Sequence, residues 1–220
     1  MPASLIRLLL IALLLPIFGG CASRGIPPTE STGEQAAARA LLEKSAAAHG
    51  LAAFRQINDL NVSYAGEWYG LASRVQATLV DADYRQGSQE RILLKDAITI
   101  SQRHSGPRGS KQVQRSSNTV AVYYNDVPAD NPDVLAAAAL VADGYRLFLT
   151  GPFYFLEGNL SLETAASEEV EGRPCLTLVA VRRPGHGQSA EDRYQLFIDS
   201  ENHLLRRVRF TMEGLASTPG

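Results

Sequence analysis

Side chains suited to covalent chemistry are few and scattered in this 220-residue chain. A hydrolase needs a nucleophile, a base and an orienting group held together, whereas the histidines stand singly at His49, His104, His186 and His203. The chain contains no G-x-S-x-G, H-E-x-x-H, phosphate-loop or dinucleotide motif. The sequence therefore predicts a protein that is not an enzyme and has no cofactor, with a hydrolase of dispersed residues as an alternative.

The sequence also gives little support for a metal site or a reactive thiol. The acidic stretch "ETAASEEVEG", residues 163–172, lacks the alternating oxygen donors and central glycine of a calcium loop, so we predict a solvated loop and no metal. Cys175 lies in the apolar run "PCLTLVAV", which favours a buried thiol over a reactive or intermolecular one.

The remaining cysteine has a special position. A basic residue, Arg7, precedes an apolar run from Leu8 to Phe18, and Gly19 and Gly20 lead directly to Cys21 in "IFGGCASR". This run of about eleven residues is too short for a membrane-spanning helix, which needs roughly 20. It is typical of a secretory signal peptide that is removed from the mature protein.

The segment around Cys21 resembles the lipobox of bacterial lipoprotein precursors, although Phe18 stands where that family prefers leucine. The resemblance implies cleavage after residue 20 and a Cys21 that carries a diacylglyceryl thioether and an acylated amine. Ala22, in place of an inner-membrane retention aspartate, implies the outer membrane. An uncleaved anchor or an ordinary signal peptide is the alternative. We divide the chain into a signal peptide (1–20), a flexible tether from the lipidated cysteine (21–33) and one domain (34–220).

Charge excludes a nucleic-acid partner. The chain has 21 basic and 23 acidic residues, and removal of residues 1–20 takes away Arg7 alone, which leaves 20 and 23, a net charge of −3. A nucleic-acid-binding protein normally shows a clustered basic face. The chain has only the short "LLRRVR" at 204–209.

The elements that must position any site follow two periodicities. Residues 34–49 are rich in helix-forming residues and end at Gly50, and residues 131–152 form a second helical pattern, with Val134, Ala138, Val141, Tyr145 and Phe148 on one face. Between and after them, alternation predicts strands, namely "LNVSYAGEW", "SRVQATL", "ERILLK", "AITISQ", "KQVQR", "TVAVYY", "PCLTLVAV", "DRYQLFID" and "HLLRRVRFTM". The plan is α+β with a largely antiparallel sheet.

Three stretches could build an apolar site. In "CLTLVAV" both faces are apolar, which suits either a central strand covered on both sides or the wall of a cavity. Alternation places Arg206 on the apolar face of the last strand, where it could meet a lipid phosphate or extend its head into water at the sheet rim. The consecutive Phe153, Tyr154, Phe155 and Leu156 either contact a membrane or a lid, or plug the open end of the sheet.

With its lipobox, its N-terminal helix ending "AAAHGLAAFRQINDL" and its hairpin "LFIDSENHLLRRVRF", the chain resembles the lipoprotein-localisation superfamily. The resemblance implies an incomplete antiparallel β-barrel, a half-barrel whose apolar concave face is covered by helices and holds acyl chains. Alternation then nominates the ligand-binding residues Tyr64, Trp68, Val75, Leu79, Val122, Val179, Leu196, Arg206 and Val208.

The sequence thus predicts an outer-membrane lipoprotein that faces the periplasm and binds or transfers a lipophilic ligand, either a lipid or lipoprotein acyl chains. The alternative is a non-catalytic scaffold or docking module that binds an envelope protein. A packed core favours the docking module, an open apolar cleft favours the carrier, and a serine or cysteine that meets a histidine favours the enzyme.

Overall fold

The computed structural model describes residues 35–67, 74, 76–95, 98–117, 119–158, 160–185 and 189–211. Two helices open this part of the chain, α1 (Gln35–Ala48) and the short α2 (Leu51–Phe54). Gly50 joins them with a φ of 86°, a left-handed conformation that suits glycine. Cys21, Trp68 and Val75 lie outside the described residues.

The first sheet is an antiparallel meander of six strands in sequence order. Its strands are β1 (Asp59–Ala65), β2 (Gly87–Leu93), β3 (Thr99–Gly106), β4 (Gly109–Arg115), β5 (Val120–Tyr124) and β6 (Val127–Pro128). Between β1 and β2 the chain forms the single turn α3 (Ala77–Val80) and a 3₁₀ turn (Ala82–Tyr84). The predicted strand "SRVQATL" is therefore wrong at its described end, where Ala77 to Leu79 are helical.

A long helix, α4 (Pro132–Thr150), leads from the first sheet to the second. The Asn131 side chain accepts a hydrogen bond from the Asp133 N–H at 2.9 Å, and Pro132 occupies the first turn, as predicted. A 3₁₀ helix (Gly151–Leu156) follows. Residues 132–156 are long and apolar enough to cross a membrane, by length and composition only, and 44% of their most apolar stretch is buried inside the fold.

The second sheet has four antiparallel strands in the order β10-β9-β8-β7. They are β7 (Leu160–Val170), β8 (Arg173–Arg182), β9 (Asp192–Asp199) and β10 (Leu205–Thr211). The predicted loop at 163–172 is wrong, because Glu163 to Val170 belong to β7. Glu171 and Gly172, with φ of 52° and 77°, form the tight turn to β8.

The core follows both sheets. Against the second sheet, α1 and α4 contribute Ala38, Leu42 and Leu147 to a cluster with Phe155, Leu178, Leu196 and Ile198. Against the first sheet, Ala142 packs on Ile92 and Ile100, and Ala138 packs on Val113 and Val122. The fold class is confirmed as α+β, with two open antiparallel sheets and helices over their apolar face.

Candidate functional site

An apolar groove opens where α4 ends beside β10. Its cavity volume is about 340 Å³, within the range of about 300–1,000 Å³ that is typical of small-ligand sites. The groove is lined by His49, residues 147–153 and residues 205–208. Three elements that are distant in sequence therefore form one surface.

The walls of the groove are aliphatic and aromatic. Leu147 is 4% exposed, and Leu205 and Val208 pack against the same core cluster. Phe153 stacks on Phe54 with ring centroids 4.1 Å apart. Phe148, by contrast, is 69% exposed at the rim. The exposed Phe148 ring therefore adjoins the apolar walls of the groove.

Two neighbouring arginines at this groove have different partners. Arg206 donates from Nε to Asp199 Oδ2 at 3.0 Å, and a second guanidinium nitrogen lies 2.9 Å from the same oxygen. Arg207 is exposed and makes no hydrogen bond or ion pair with any residue that the structure describes. Arg207 pairs with Phe197, whereas the groove residue Val208 pairs with Leu196, so the Arg207 side chain lies on the opposite face of the sheet and Arg207 lines the groove through its main chain.

Asp199 is fully buried at the β9–β10 turn. Burial raises the pKa of its carboxyl group, but the N–H donors of Glu201 and Asn202 and the guanidinium groups of Arg206 and Arg173 together lower that pKa to about 2. The carboxylate is thus ionised at neutral pH and holds Arg206 in place.

A histidine joins α1 to the groove. His49 Nε2 accepts a hydrogen bond from the Leu205 N–H at 2.9 Å, which requires a neutral ring. Partial burial lowers the pKa of His49 and so favours that neutral form. This contact fixes the start of β10 against the end of α1.

The structure brings three predicted site residues together in the groove, namely Phe153, Arg206 and Val208. Arg206 does not share the apolar face as predicted. A β-bulge between Leu205 and Arg207 shifts the alternation, so that Leu205 and Val208 face the core while Arg206 is exposed.

The other predicted residues do not line this groove. Tyr154, Phe155 and Leu196 are buried in the core, and Leu156 packs against it. Val122 is buried beneath α4. Val179 pairs with Gln195 while Leu178 pairs with Leu196, so Val179 and Leu196 lie on opposite faces of the sheet and cannot line one cavity.

Sequence reasoning missed His49, Phe148, Leu205 and Arg207. Phe148 was predicted on the packed face of α4, but Leu147 takes that place. A helical step of three or four does not distinguish two adjacent apolar residues at the last turn, and nothing in the sequence signals the bulge that takes Arg206 off the apolar face.

The inner face of the six-stranded sheet differs from the predicted apolar surface. One row across five strands consists of Tyr64, Ser88, His104, Lys111 and Tyr124. Lys111 Nζ lies 2.6 Å from Asp81 Oδ2, and the Tyr124 hydroxyl donates to the same oxygen at 2.6 Å. Asp81 thereby ties the segment before β2 onto this row.

The next row of the same face carries a buried carboxyl group. Glu90 accepts hydrogen bonds from the Tyr64 hydroxyl at 2.8 Å and from Gln102 Nε2 at 3.1 Å. Burial raises the pKa of Glu90. Arg85 donates to the carbonyls of Leu79 and Val80 and to the Tyr145 hydroxyl, so predicted Leu79 serves this polar cluster through its main chain.

Ser88 and His104 are the one serine–histidine contact among the described residues, with Ser88 Oγ 2.8 Å from His104 Nδ1. Ser88 is 8% exposed and His104 is 1% exposed. Burial and the nearby Arg85 and Lys111 lower the pKa of His104 to about 3. No described carboxylate orients the ring, and both side chains are buried within the polar row. Within the described ranges, no three His, Cys, Asp or Glu residues cluster as metal ligands.

Comparison with known proteins gives matches among solved structures alone. No protein-family model and no curated protein matches the chain. Among solved structures, the lipoprotein LppX of Mycobacterium tuberculosis aligns at 11% identity and a TM-score of 0.31, over 81% of this chain and 90% of that one. LprF of Mycobacterium bovis aligns at 9% identity and a TM-score of 0.31, over 81% of this chain and 88% of that one. Neither resemblance is close enough to assign a family or a function.

Proposed function

We propose that this chain is an outer-membrane lipoprotein that faces the periplasm and binds the acyl chain of a lipid or of another lipoprotein, without covalent chemistry. The observation that carries the proposal is the groove between α4 and β10, with Phe148 exposed at its rim. The predicted lipidation of Cys21 and the predicted resemblance to the lipoprotein-localisation superfamily agree with it. Transfer to or from a partner requires this groove to exchange its ligand.

Apolar burial supplies the binding energy. Each methylene that leaves water for the groove contributes about 0.8 kcal/mol, before the entropic cost of association. Phe148 gains most from a ligand, because it is the most exposed of the large hydrophobic residues that the structure describes.

Titration of the full-length protein in mild detergent with a fluorescent fatty acid tests the groove. We expect saturable binding that Phe148→Asp weakens at least tenfold, because a carboxylate replaces the apolar rim. Val127→Asp is the matched control, since Val127 is 64% exposed on β6 and does not line the groove. Equal binding by the two variants, or no binding by the parent protein, would contradict the proposal.

The anchor has its own test. Metabolic labelling with palmitate should label the parent protein and leave Cys21→Ser unlabelled, and fractionation should recover the labelled protein with the outer membrane. Labelling that survives Cys21→Ser would contradict a lipid on this cysteine.

A second candidate is the docking module that binds an envelope protein, and the filled interior favours it. In the described part of the chain, apolar residues on the inner side of the second sheet pack against α1 and α4, and those of the first sheet pack against α4. This candidate predicts no lipid probe binding, together with loss of a protein crosslink in Phe148→Asp.

A further inference from the structure

The outer face of the six-stranded sheet carries two adjoining troughs. One has a volume of about 430 Å³ and the other about 490 Å³, and they share Ser63, Gln89 and Arg103. Each volume is within the range of small-ligand sites, and together they run across β1 to β4. The shape therefore suits an extended ligand better than a compact one.

The strand register explains what lines these troughs. One outward row contains Asn61, Arg91, Ser101 and Gln114, and the next contains Ser63, Gln89, Arg103 and Gln112. Side chains such as Glu90 and Gln102 point to the opposite face, so they can line the troughs only through the main chain. The accessible surface is thus made of amides, hydroxyls and two guanidinium groups.

At one end the troughs are lined by residues with small side chains or none. Ala65, Gly87 and Ser105 form the third outward row. A Cβ added at Gly87 would come within 2.8 Å of Ser105 Oγ, so a larger residue would fill the trough there.

Most of the central polar groups are available to a ligand. Within the described part of the chain, Gln89, Ser101, Arg103 and Gln114 are exposed and have no side-chain hydrogen bond. Arg91 is neutralised, because its Nε donates to Asp59 Oδ2 at 3.0 Å. Arg103 is therefore an uncompensated positive charge in a trough that offers no free carboxylate, on a chain of net charge −2.

These properties select among ligand classes. A nucleic acid needs several cations for its phosphates, and the troughs supply one that is free. A peptide added by strand pairing needs a sheet edge, whereas β2 and β3 are interior strands. Sugar hydroxyls match amide and hydroxyl side chains, which both donate and accept hydrogen bonds. We propose that the troughs bind an acidic oligosaccharide, with Arg103 on its carboxylate or phosphate.

The site shares no residue with the α4–β10 groove, so the two proposals can fail separately. The experiment is calorimetry on the full-length protein in detergent, with an N-acetylglucosamine–N-acetylmuramic acid tetrasaccharide as the probe. The neutral N-acetylglucosamine tetramer is its control, and a mannose oligosaccharide phosphate tests phosphate in place of carboxylate.

We expect at least one acidic probe to bind about tenfold more tightly than the neutral tetramer, which is the scale of one charge-assisted hydrogen bond. Arg103→Ala should remove that advantage, and Gln89→Ala should weaken binding about threefold as a neutral hydrogen bond is lost. Arg207→Ala, which changes an exposed arginine of β10 that lines neither trough, should bind the acidic probe like the parent protein. If neither acidic probe exceeds the neutral tetramer, or if Arg103→Ala binds like the parent, the proposal is wrong.

Discussion

The two sheets of this protein bury opposite kinds of surface. In the four-stranded sheet the buried face carries Leu178, Leu196 and Ile198 against helices. In the six-stranded sheet the buried face begins with a row that includes His104 and Lys111, and becomes apolar only toward Ile92 and Ile100. The same strand alternation therefore buries apolar side chains on the four-stranded sheet and many hydrogen-bonded polar side chains on the six-stranded sheet.

The difference shows how each half is stabilised. The four-stranded half gains free energy from apolar area, which tolerates small shifts of side chains. The six-stranded half must pair each buried charge, because an unpaired one costs several kcal/mol. Asp81 pairs with Lys111, and Arg85 donates to the carbonyls of Leu79 and Val80 and to the Tyr145 hydroxyl, so these contacts hold the segment before β2 over this row.

The largest effect is expected in the apolar half. Phe155→Ala removes a ring that is fully buried and meets Tyr154 and Tyr194 edge to face. It should lower the free energy of unfolding by about 3–5 kcal/mol in urea titrations. Phe148→Ala, at an exposed ring, should change it by no more than about 0.5 kcal/mol. Similar losses of unfolding free energy in both variants would contradict the placement of Phe155 in the core and of Phe148 at the exposed rim.

The polar half should be sensitive to charge more than to volume. Asp81→Asn keeps the shape and suits the left-handed backbone at this residue, but leaves Lys111 buried without its counter-ion. We expect Asp81→Asn to lower the free energy of unfolding, measured in urea titrations, by about 3 kcal/mol. Adding Lys111→Met to Asp81→Asn should recover part of that free energy. A double variant less stable than Asp81→Asn alone would contradict the claim that the Lys111–Asp81 ion pair accounts for the loss.

Acid should weaken the polar half first. The pKa of His104 is about 3 in the folded protein, below the unfolded value of about 6.5, so the folded state binds fewer protons between these values. Its contribution to stability is complete above about pH 6.5 and falls by about 1.4 kcal/mol per pH unit as the pH drops toward 3. The slope of the unfolding free energy against pH reports the number of protons taken up on unfolding. His104→Asn should lower that number by about one between pH 3 and 6.5, and an unchanged slope would contradict this assignment.

The smallest effect distinguishes the two adjacent arginines of β10. Arg206→Ala loses a partly exposed ion pair with Asp199 and should lower the free energy of unfolding by at most about 1 kcal/mol. Arg207→Ala loses no described contact and should leave stability unchanged. In the lipid-probe titration both variants should bind like the parent protein, because Asp199 holds Arg206 and the Arg207 side chain lies on the opposite face of the sheet from the groove. A larger loss of stability in Arg207→Ala than in Arg206→Ala would contradict this assignment.

The sequence predicts the coarse fold because each major element has its own periodicity. The helix start at Asn131-Pro132 and the strands "TVAVYY" and "DRYQLFID" were predicted correctly, since capping and alternation are local properties. The predicted loop at 163–172 failed because its acidic composition concealed a strand, in which Glu163 and Glu168 are half-buried and Glu169 is exposed.

The site was harder to predict because it depends on non-local geometry. Val179 and Leu196 were grouped as cavity residues, but only the pairing of β8 with β9 shows that they face apart. The polarity of the first sheet's inner face follows from Asp81, which lies in a turn and reaches Lys111 across 30 positions of sequence. Tertiary partners of this kind leave no periodic signal.

The central claim is that the groove between α4 and β10 holds a lipid. The most direct measurement is mass spectrometry of the gently purified full-length protein, native and denatured, beside Phe148→Asp and Val127→Asp. The account predicts a stoichiometric lipid or acylated peptide on the parent and on Val127→Asp, and its loss from Phe148→Asp. No lipid on the parent, or equal retention by both variants, would contradict it.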